Sequence, residues 1–245
     1  SLGLETSTRR GSVAIWNGQG APLERSLGAQ SQKHVTTIFQ VLDELLKEHS
    51  LKPADIGRIA VSIGPGSFTG LRIGVVAAKT LAYSLGCEVK GIDTFLAVAH
   101  QSPTTIDAVT VIGDAQRGDL FVGDFERNDA AEWTPIGNIR IESAQLFENS
   151  LTGNEFLSGP GLTRYSSQLQ NRERLLEDLK HHLSAAAICE LSVREDIPLA
   201  NYWSLEPLYL RKSSAEEKWD QKKSKSVLTL NPIPCMVTHR ELLTP

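Results

Sequence analysis

Two carboxylates and two glycine loops are the residues in this chain with the types and spacing to do chemistry. Glu5 opens a run of hydroxyl side chains, Thr6, Ser7 and Thr8. Hydroxyls and backbone N–H groups in a hairpin turn can cup a phosphate, and a neighbouring carboxylate can position a metal-bound water. A plain polar turn explains the same residues equally well. Asp114, in Gly113-Asp114-Ala115-Gln116-Arg117-Gly118, carries the same two readings. The glycine loop Gly64-Pro65-Gly66-Ser67-Phe68-Thr69-Gly70 lies between an apolar run and a helical pattern. No Gly-Lys-Ser/Thr follows, so it is not a Walker A loop. A dinucleotide fingerprint is nearer, with Asp93 placed as the acidic ribose ligand, but that motif normally opens its domain. A tight turn with close helix packing accounts for every glycine without a ligand.

Other chemistry is poorly supported. No two of the histidines (His34, His49, His100, His181, His182, His239) stand at the i, i+4 spacing that puts two imidazoles on one helix face. No Gly-x-Ser-x-Gly elbow is present, and Cys87 follows a helix-ending Gly86 where nothing would lower its pKa. The residues offer no nucleophile and no metal site.

The elements that position these residues follow from periodicity. Leu2–Glu5 and Ser12–Trp16 read as paired strands, and Asn17-Gly18, a preferred type I′ pair, predicts a third antiparallel strand through Leu23 to Leu27. Lys33 to His49 places Val35, Ile38, Phe39, Leu42, Leu45, Leu46 and His49 on one helical stripe. Arg58 to Asp93 reads as strand, loop, helix and strand. Ser67 or Thr69 caps the helix, Leu71, Val75, Leu81 and Leu85 make an apolar side, and Gly86 ends it. On the same helix Gly70, Gly74 and Ala78 recur every four residues and leave one face almost bare, which lets another backbone approach closely. A short helix, Thr94 to His100, completes a βββαβαβα module.

Polarity rises at Ser102-Pro103-Thr104-Thr105 and the pattern restarts. Residues 1–103 and 104–211 are therefore expected to be two lobes. The second is expected to contain strands at Ala108–Ile112, Asp119–Phe125 and roughly Thr134–Arg140, a helix from Ser143, the loop Gly159-Pro160-Gly161, and helices over Arg164–Leu183 and Ala185–Glu195. Residues 212–245 read as a charged and Pro-rich tail whose composition favours disorder. The 245 residues are 40% hydrophobic and 22% charged, with net charge −4, which argues against a protein that grips nucleic acid unaided. Three spaced cysteines fit reduced thiols, and no apolar run approaches the ~20 residues of a membrane helix. The expected compartment is the cytoplasm. The chain opens at Ser1 inside a strand, so its natural start is expected upstream.

Several runs resemble one family. Leu4-Glu5-Thr6-Ser7-Thr8 with Gly11-Ser12-Val13-Ala14, the long run Gly64 to Gly74, Asp114 to Asp119, and Glu206-Pro207-Leu208-Tyr209-Leu210-Arg211 closely resemble the bacterial TsaB (YeaZ-like) family, from Leu2 to about Arg211. The resemblance implies an α/β, two-lobed actin/hexokinase-like (ASKHA) fold, each lobe a mixed five-stranded sheet with flanking helices. It also implies a non-catalytic partner of TsaD, the subunit that transfers a threonylcarbamoyl group to N6 of adenosine 37 in ANN-decoding tRNAs. TsaE, an ATPase, would join a ternary complex, tRNA would be met only through the complex, and the chain alone would be either a monomer or a homodimer. The chain alone is expected to bind no cofactor; ATP or ADP with Mg at a shared interface is the nucleotide reading, and Glu5, Thr6, Ser7, Thr8 and Asp114 are the candidate phosphate loop. The catalytic paralogue's metal-binding His-x-x-x-His falls here at Thr94 and Val98, which argues against the older glycoprotease label. Family complexes pair through two first-lobe helices, so Val35, Phe39, Leu42, Leu46, Gly70, Gly74 and Ala78 are the expected interface; packing of that bare face on the chain's own sheet is the competing expectation. Glu5 stands where the family more usually has aspartate. The alternative function is an ATP-dependent small-molecule kinase of the same fold, in which Glu5, Asp114 and Gly159-Pro160-Gly161 hold ATP and metal; a peptidase and a dinucleotide enzyme follow behind.

Overall fold

A computed structural model describes residues 1–8, 10–28, 34–167, 169, 174–176, 183–211 and 219. Ser1–Leu210 form one compact unit, and Arg211–Pro245 form a second. The expected tail lies almost wholly outside the described residues, as do His181, His182, Cys235 and His239.

Two five-stranded mixed sheets organise the first unit. In the first sheet the order is β3-β2-β1-β4-β5, built from β1 (Leu2–Glu5), β2 (Ser12–Ile15), β3 (Leu23–Ser26), β4 (Arg58–Gly64) and β5 (Glu88–Asp93). β1, β2 and β3 are antiparallel neighbours, whereas β4 runs parallel to both β1 and β5. The second sheet repeats the plan in the order β10-β6-β7-β8, from β6 (Ala108–Gln116), β7 (Asp119–Arg127), β8 (Trp133–Pro135) and β10 (Leu157–Ser158), with β9 (Arg140–Ser143) also paired to β7.

Strand alternation sends Leu2, Leu4, Ile59 and Val61 to one face of the first sheet, where α1 (His34–Glu48) and α2 (Phe68–Leu85) cover them. The opposite face, with Ala60 and Ile92, joins Phe95 to Ala99 of α3 (Thr94–His100), Ile188 and Leu191 of α6 (Ala185–Leu191), and Val109, Val111, Phe125 and Trp133 of the second sheet in a shared core. A third cluster, with Phe147 of α4 (Ala144–Ser150) and Leu162 and Tyr165 of α5 (Leu162–Tyr165), covers the far side of the second sheet.

Four expectations change. The Asn17-Gly18 turn is not a two-residue loop: Ile15 pairs with Leu23, and Asn17 Oδ1 instead accepts the Gln19 N–H at 3.0 Å inside a longer connection. The single strand expected over Thr134–Arg140 divides into β8 and β9, because Pro135 ends one and Gly137 turns the chain at φ +77°. Of the helix expected over Arg164–Leu183, α5 covers the start and ends at Tyr165, and residues 168, 170–173 and 177–182 lie outside the described ones; Leu175 bridges to Leu157 and Leu176 N–H donates to Leu157 O at 2.8 Å, at the edge of β10.

The fourth concerns the bare face of α2. Gly70, Gly74 and Ala78 are buried against the chain's own first sheet, not presented to a partner. A Cβ on Gly70 would overlap the Thr6 carbonyl oxygen, and one on Gly74 would overlap Thr6 Oγ1. Leu42 and Leu46 are buried in the same core, Phe39 is exposed, and the Val35 side chain lies outside the described ones. Among the described side chains of the expected interface set, Phe39 alone thus faces outward. Gly70→Ala is expected to cost about 2 kcal/mol through overpacking against backbone that cannot yield. Gly57, with open space around a new Cβ and an ordinary φ, supplies the control. In thermal unfolding Gly70→Ala should lower Tm by roughly 4–8 °C while Gly57→Ala stays within about 2 °C.

Candidate functional site

The C-terminal edge of the first sheet gathers the Glu5 turn, the glycine loop, the start of α2 and a returning C-terminal segment. Parallel neighbours β1, β4 and β5 all end here, which is where ligands of open α/β sheets usually bind.

Glu5 is fully buried, and its carboxylate folds back on its own turn. Oε1 accepts the Ser7 N–H at 2.6 Å, the Ser7 hydroxyl at 2.6 Å and the Thr8 N–H at 3.1 Å. Thr6 Oγ1 donates to Gly70 O at 2.8 Å, and Ser67 N–H donates to Ser7 O at 2.7 Å. The hydroxyls expected to cup a phosphate are therefore spent inside the chain at Thr6 and Ser7. Thr8 Oγ1 is buried without a hydrogen-bond partner among the described residues, and the Ser62 hydroxyl is buried against the Glu5 carboxyl. Desolvation pushes the Glu5 carboxyl up to about 7, against the opposing pull of the nearby Ser62 and Ser7 hydroxyls and the turn amides.

The glycine loop is filled from both sides. Gly64-Pro65 is a cis peptide, and Gly64 sits at φ +124° with Leu208 O where a Cβ would fall. A Cβ on Gly66 would lie 2.7 Å from Ser7 Cβ. Ser67 caps α2 by accepting the Gly70 N–H at 3.3 Å, and Gly86 closes it in the left-handed conformation. Leu208 N–H donates to Ile63 O at 2.7 Å, while Tyr209 stacks on Phe68 with centroids 4.7 Å apart and accepts from Arg72 Nε at 2.9 Å. The space a dinucleotide would need is occupied by Ser7 and Leu208. Asp93, expected as a ribose ligand, caps α3 instead, accepting from Phe95 N at 2.7 Å and Leu96 N at 3.1 Å; burial raises its pKa to about 6. Sequence reasoning missed the Leu208–Tyr209 strap, whose signal was present in the Glu206–Arg211 motif.

Asp114 is not brought to this turn. It stands at the end of β6, bonded to Arg164 Nη1 at 2.8 Å and to Gln116 N at 2.8 Å. The Gly159-Pro160-Gly161 loop packs on Ile112 backbone, with Gly161 N–H donating to Ile112 O at 2.9 Å. Thr94 Oγ1, buried, accepts the Gly64 N–H at 3.0 Å, and Val98 is buried in the shared core, so neither offers a metal a free donor atom. No cluster of metal-ligating side chains occurs among the described residues. Burial pushes the Cys189 thiol up to about 12. A cleft of about 840 Å³ lined by Ile15, Trp16, Leu46, His49, Arg58 and Glu88 opens at the opposite, N-terminal edge of the strands.

What remains outward is the far face of α2. Val76 is 62% exposed and Tyr83 63%, and Tyr83 meets Tyr202 and Trp203 at ring-centroid distances of 5.9 and 5.7 Å. Trp203 is 70% exposed, and Lys79 Nζ donates to its carbonyl at 3.0 Å.

Two sheets of repeated plan, each with its edge loop closed by a Gly-Pro-Gly turn, define an α/β protein of the two-lobed actin-like class. Two Pseudomonas aeruginosa structures agree: an uncharacterized protein with similarity to peptidase YEAZ (TM-score 0.71, 22% identity, 86% of this chain and 98% of that one) and YeaZ itself (TM-score 0.69, 21% identity, 85% and 98%). The family model for TsaD, tRNA N6-adenosine threonylcarbamoyltransferase, matches residues 28–155, just over half the chain. Proteins called tRNA threonylcarbamoyladenosine biosynthesis protein TsaB are similar from Escherichia coli (28% identical, 54% of this chain, 57% of that protein), Bacillus subtilis (34%, 38% and 40%) and Haemophilus influenzae (28%, 86% and 92%). The chain spans about half the length of the first two relatives. It belongs to the TsaB (YeaZ-like) family, within the wider group that the TsaD model describes. No helix among the described residues is long and apolar enough to cross a membrane.

The raised carboxyls fix the sign of a pH dependence. Glu5 has a folded pKa near 7 and an unfolded one near 4.5, so its contribution is fully present below pH 4.5 and lost as pH rises through 7. Asp93 acts in the same direction, from 3.8 to about 6. Urea unfolding should give lower stability at pH 8 than at pH 5, and Glu5→Gln should flatten that difference by roughly 3 kcal/mol at most. An unchanged slope in the variant would place the titration elsewhere.

Proposed function

We propose that this chain is a non-catalytic scaffold and activating subunit in threonylcarbamoylation of N6 of adenosine 37 of ANN-decoding tRNAs, acting in the cytoplasm by binding a TsaD-type subunit. Its lobes are residues 1–103 and 104–211, with TsaE joining the assembly and tRNA met only through it. The observation that carries this reading is an exposed aromatic face on α2 in a chain of the TsaB family. Val76, Tyr83 and Trp203, with Phe39 on α1, offer anchors of the kind that dominate interfaces. The small-residue face of the same helix supports that surface from within, because its contact with Thr6 holds α2 rigidly on the sheet. Catalysis is left to the partner: Thr94 and Val98 stand in the place of the paralogue's metal-binding pair, and Glu5 is committed to its own turn. The same commitment leaves the kinase-like alternative without its phosphate loop. When TsaD is absent, the exposed face is available for a homodimer.

Size-exclusion chromatography with light scattering, on the chain alone and mixed with TsaD from the same organism, should give a stable heterodimer. The chain should be inactive alone and required in the mixture; full modification without it would contradict the proposal. Tyr83→Ala and Trp203→Ala are each expected to weaken the complex about 30-fold, roughly 2 kcal/mol, with Tm changed by less than about 2 °C. Unchanged affinity in both would move the interface off this face.

A further inference from the structure

The cleft at the N-terminal edge of the first sheet takes no part in the proposed function. It measures about 840 Å³, within the range of roughly 300–1,000 Å³ typical of small-molecule sites. Its floor is made by buried Ile15, Leu46 and Ile56, and the exposed side chains of Leu23, Leu51 and Val193 stand around it. Aliphatic side chains left exposed around a concavity suit an apolar ligand body. Trp16, half-buried, lines the same cleft. Its indole N–H is committed to Gly20 O at 2.9 Å, so what the ring offers a ligand is its carbon surface.

The rim sets the charge of the occupant. Besides the His49 ring, the basic groups of the cleft are Arg58 and the Ser1 nitrogen, and both are engaged. Arg58 donates to Glu88 Oε2 from Nε at 2.9 Å and from Nη2 at 2.7 Å, and to Ser192 O from Nη1 at 3.0 Å. The Ser1 nitrogen is turned to Trp16 O at 2.6 Å. The acidic groups are less fully used. Glu88 takes both Arg58 bonds on one oxygen, and Asp55 accepts the Lys52 N–H on Oδ2 at 2.7 Å. Glu88 Oε1 and Asp55 Oδ1 keep their acceptor capacity among the described residues, and the Asn17 and Gln19 amides nearby are neutral. Carboxylate oxygens without donors, beside basic groups already paired, complement a ligand that brings donors and positive charge. Gly57 stands at this rim, its carbonyl accepting the Glu88 N–H at 3.3 Å, and a Cβ there would meet nothing within 4 Å.

We propose that this cleft binds an organic cation, a primary ammonium group carried on an aromatic body. The ring lies against Trp16 and the aliphatic floor, and the ammonium meets Asp55 and Glu88 at the rim. The site is at the opposite edge of the sheet from the Glu5 turn and the glycine loop, and the inference is independent of the partner reading.

Phenethylammonium is the probe, and phenylpropionate, of similar body and opposite charge, is its comparison at equal ionic strength. In proton–nitrogen correlation spectra of the full chain, phenethylammonium should move the Trp16 indole resonance and saturate with Kd about 1 mM, and phenylpropionate should bind at least about tenfold more weakly. Asp55→Asn should weaken the cation about threefold, as expected for an exposed charge pair. Gly57→Phe puts a ring into the cleft where there is room for it, and should weaken binding more than about tenfold with Tm within about 2 °C of the wild type. If that variant fails to fold, Gly57→Leu takes its place. A Trp16 indole resonance unmoved by about 10 mM phenethylammonium, equal binding of phenylpropionate, or unchanged affinity in the folded Gly57 variant would each overturn the proposal.

Discussion

The close approach of α2 to the Thr6 turn is the constraint on which the rest of this structure depends. Gly70 and Gly74 bring helix backbone onto the Thr6 carbonyl and hydroxyl, at distances that leave no room for a side chain. Once the helix is seated there, the Thr6 hydroxyl can reach Gly70 O, Ser67 N–H can reach Ser7 O, and the glycine loop is pinned between Ser7 and Leu208. The turn, the loop and the strap form one closed cluster. Its polar groups are satisfied chiefly by each other, which suits a support better than an open ligand site.

That closure separates the two faces of α2 into two roles. Small residues make the inner face a rigid seat, and the residues three and four positions around the helix, Val76, Lys79 and Tyr83, carry the outward surface with Tyr202 and Trp203. A helix held this firmly can present aromatic anchors with little ordering cost on association. On the proposed function, that surface is where a TsaD-type subunit binds and brings the chemistry that buried Thr94 and Val98 do not supply.

Much of this was legible in the residues. Period-two and period-3.6 patterns located β1, β2, β4, β5, α1, α2 and α3 closely, and the strand-end placement of Glu5 and Asp114 anticipated the repeated plan of the two sheets. What a single sequence could not reveal is direction. A bare helical face admits a partner or the chain's own sheet equally well, and only the position of Thr6 in space decides between them. Likewise Glu5 with three hydroxyl residues reads as a phosphate cup until its carboxylate is seen turned inward. In the second sheet the division of β8 from β9 is local, at Pro135 and Gly137, whereas Leu175 bridges to Leu157 because the edge of β10 is there to pair with it.

The central claim, that the outward aromatic face of α2 is the partner surface, is tested most directly by hydroxyl-radical footprinting of the chain free and saturated with TsaD. Tyr83 and Trp203 should lose most of their reactivity in the complex, while exposed Leu146 on α4 keeps its own. Undiminished oxidation of Tyr83 and Trp203 in a stoichiometric complex would contradict the account.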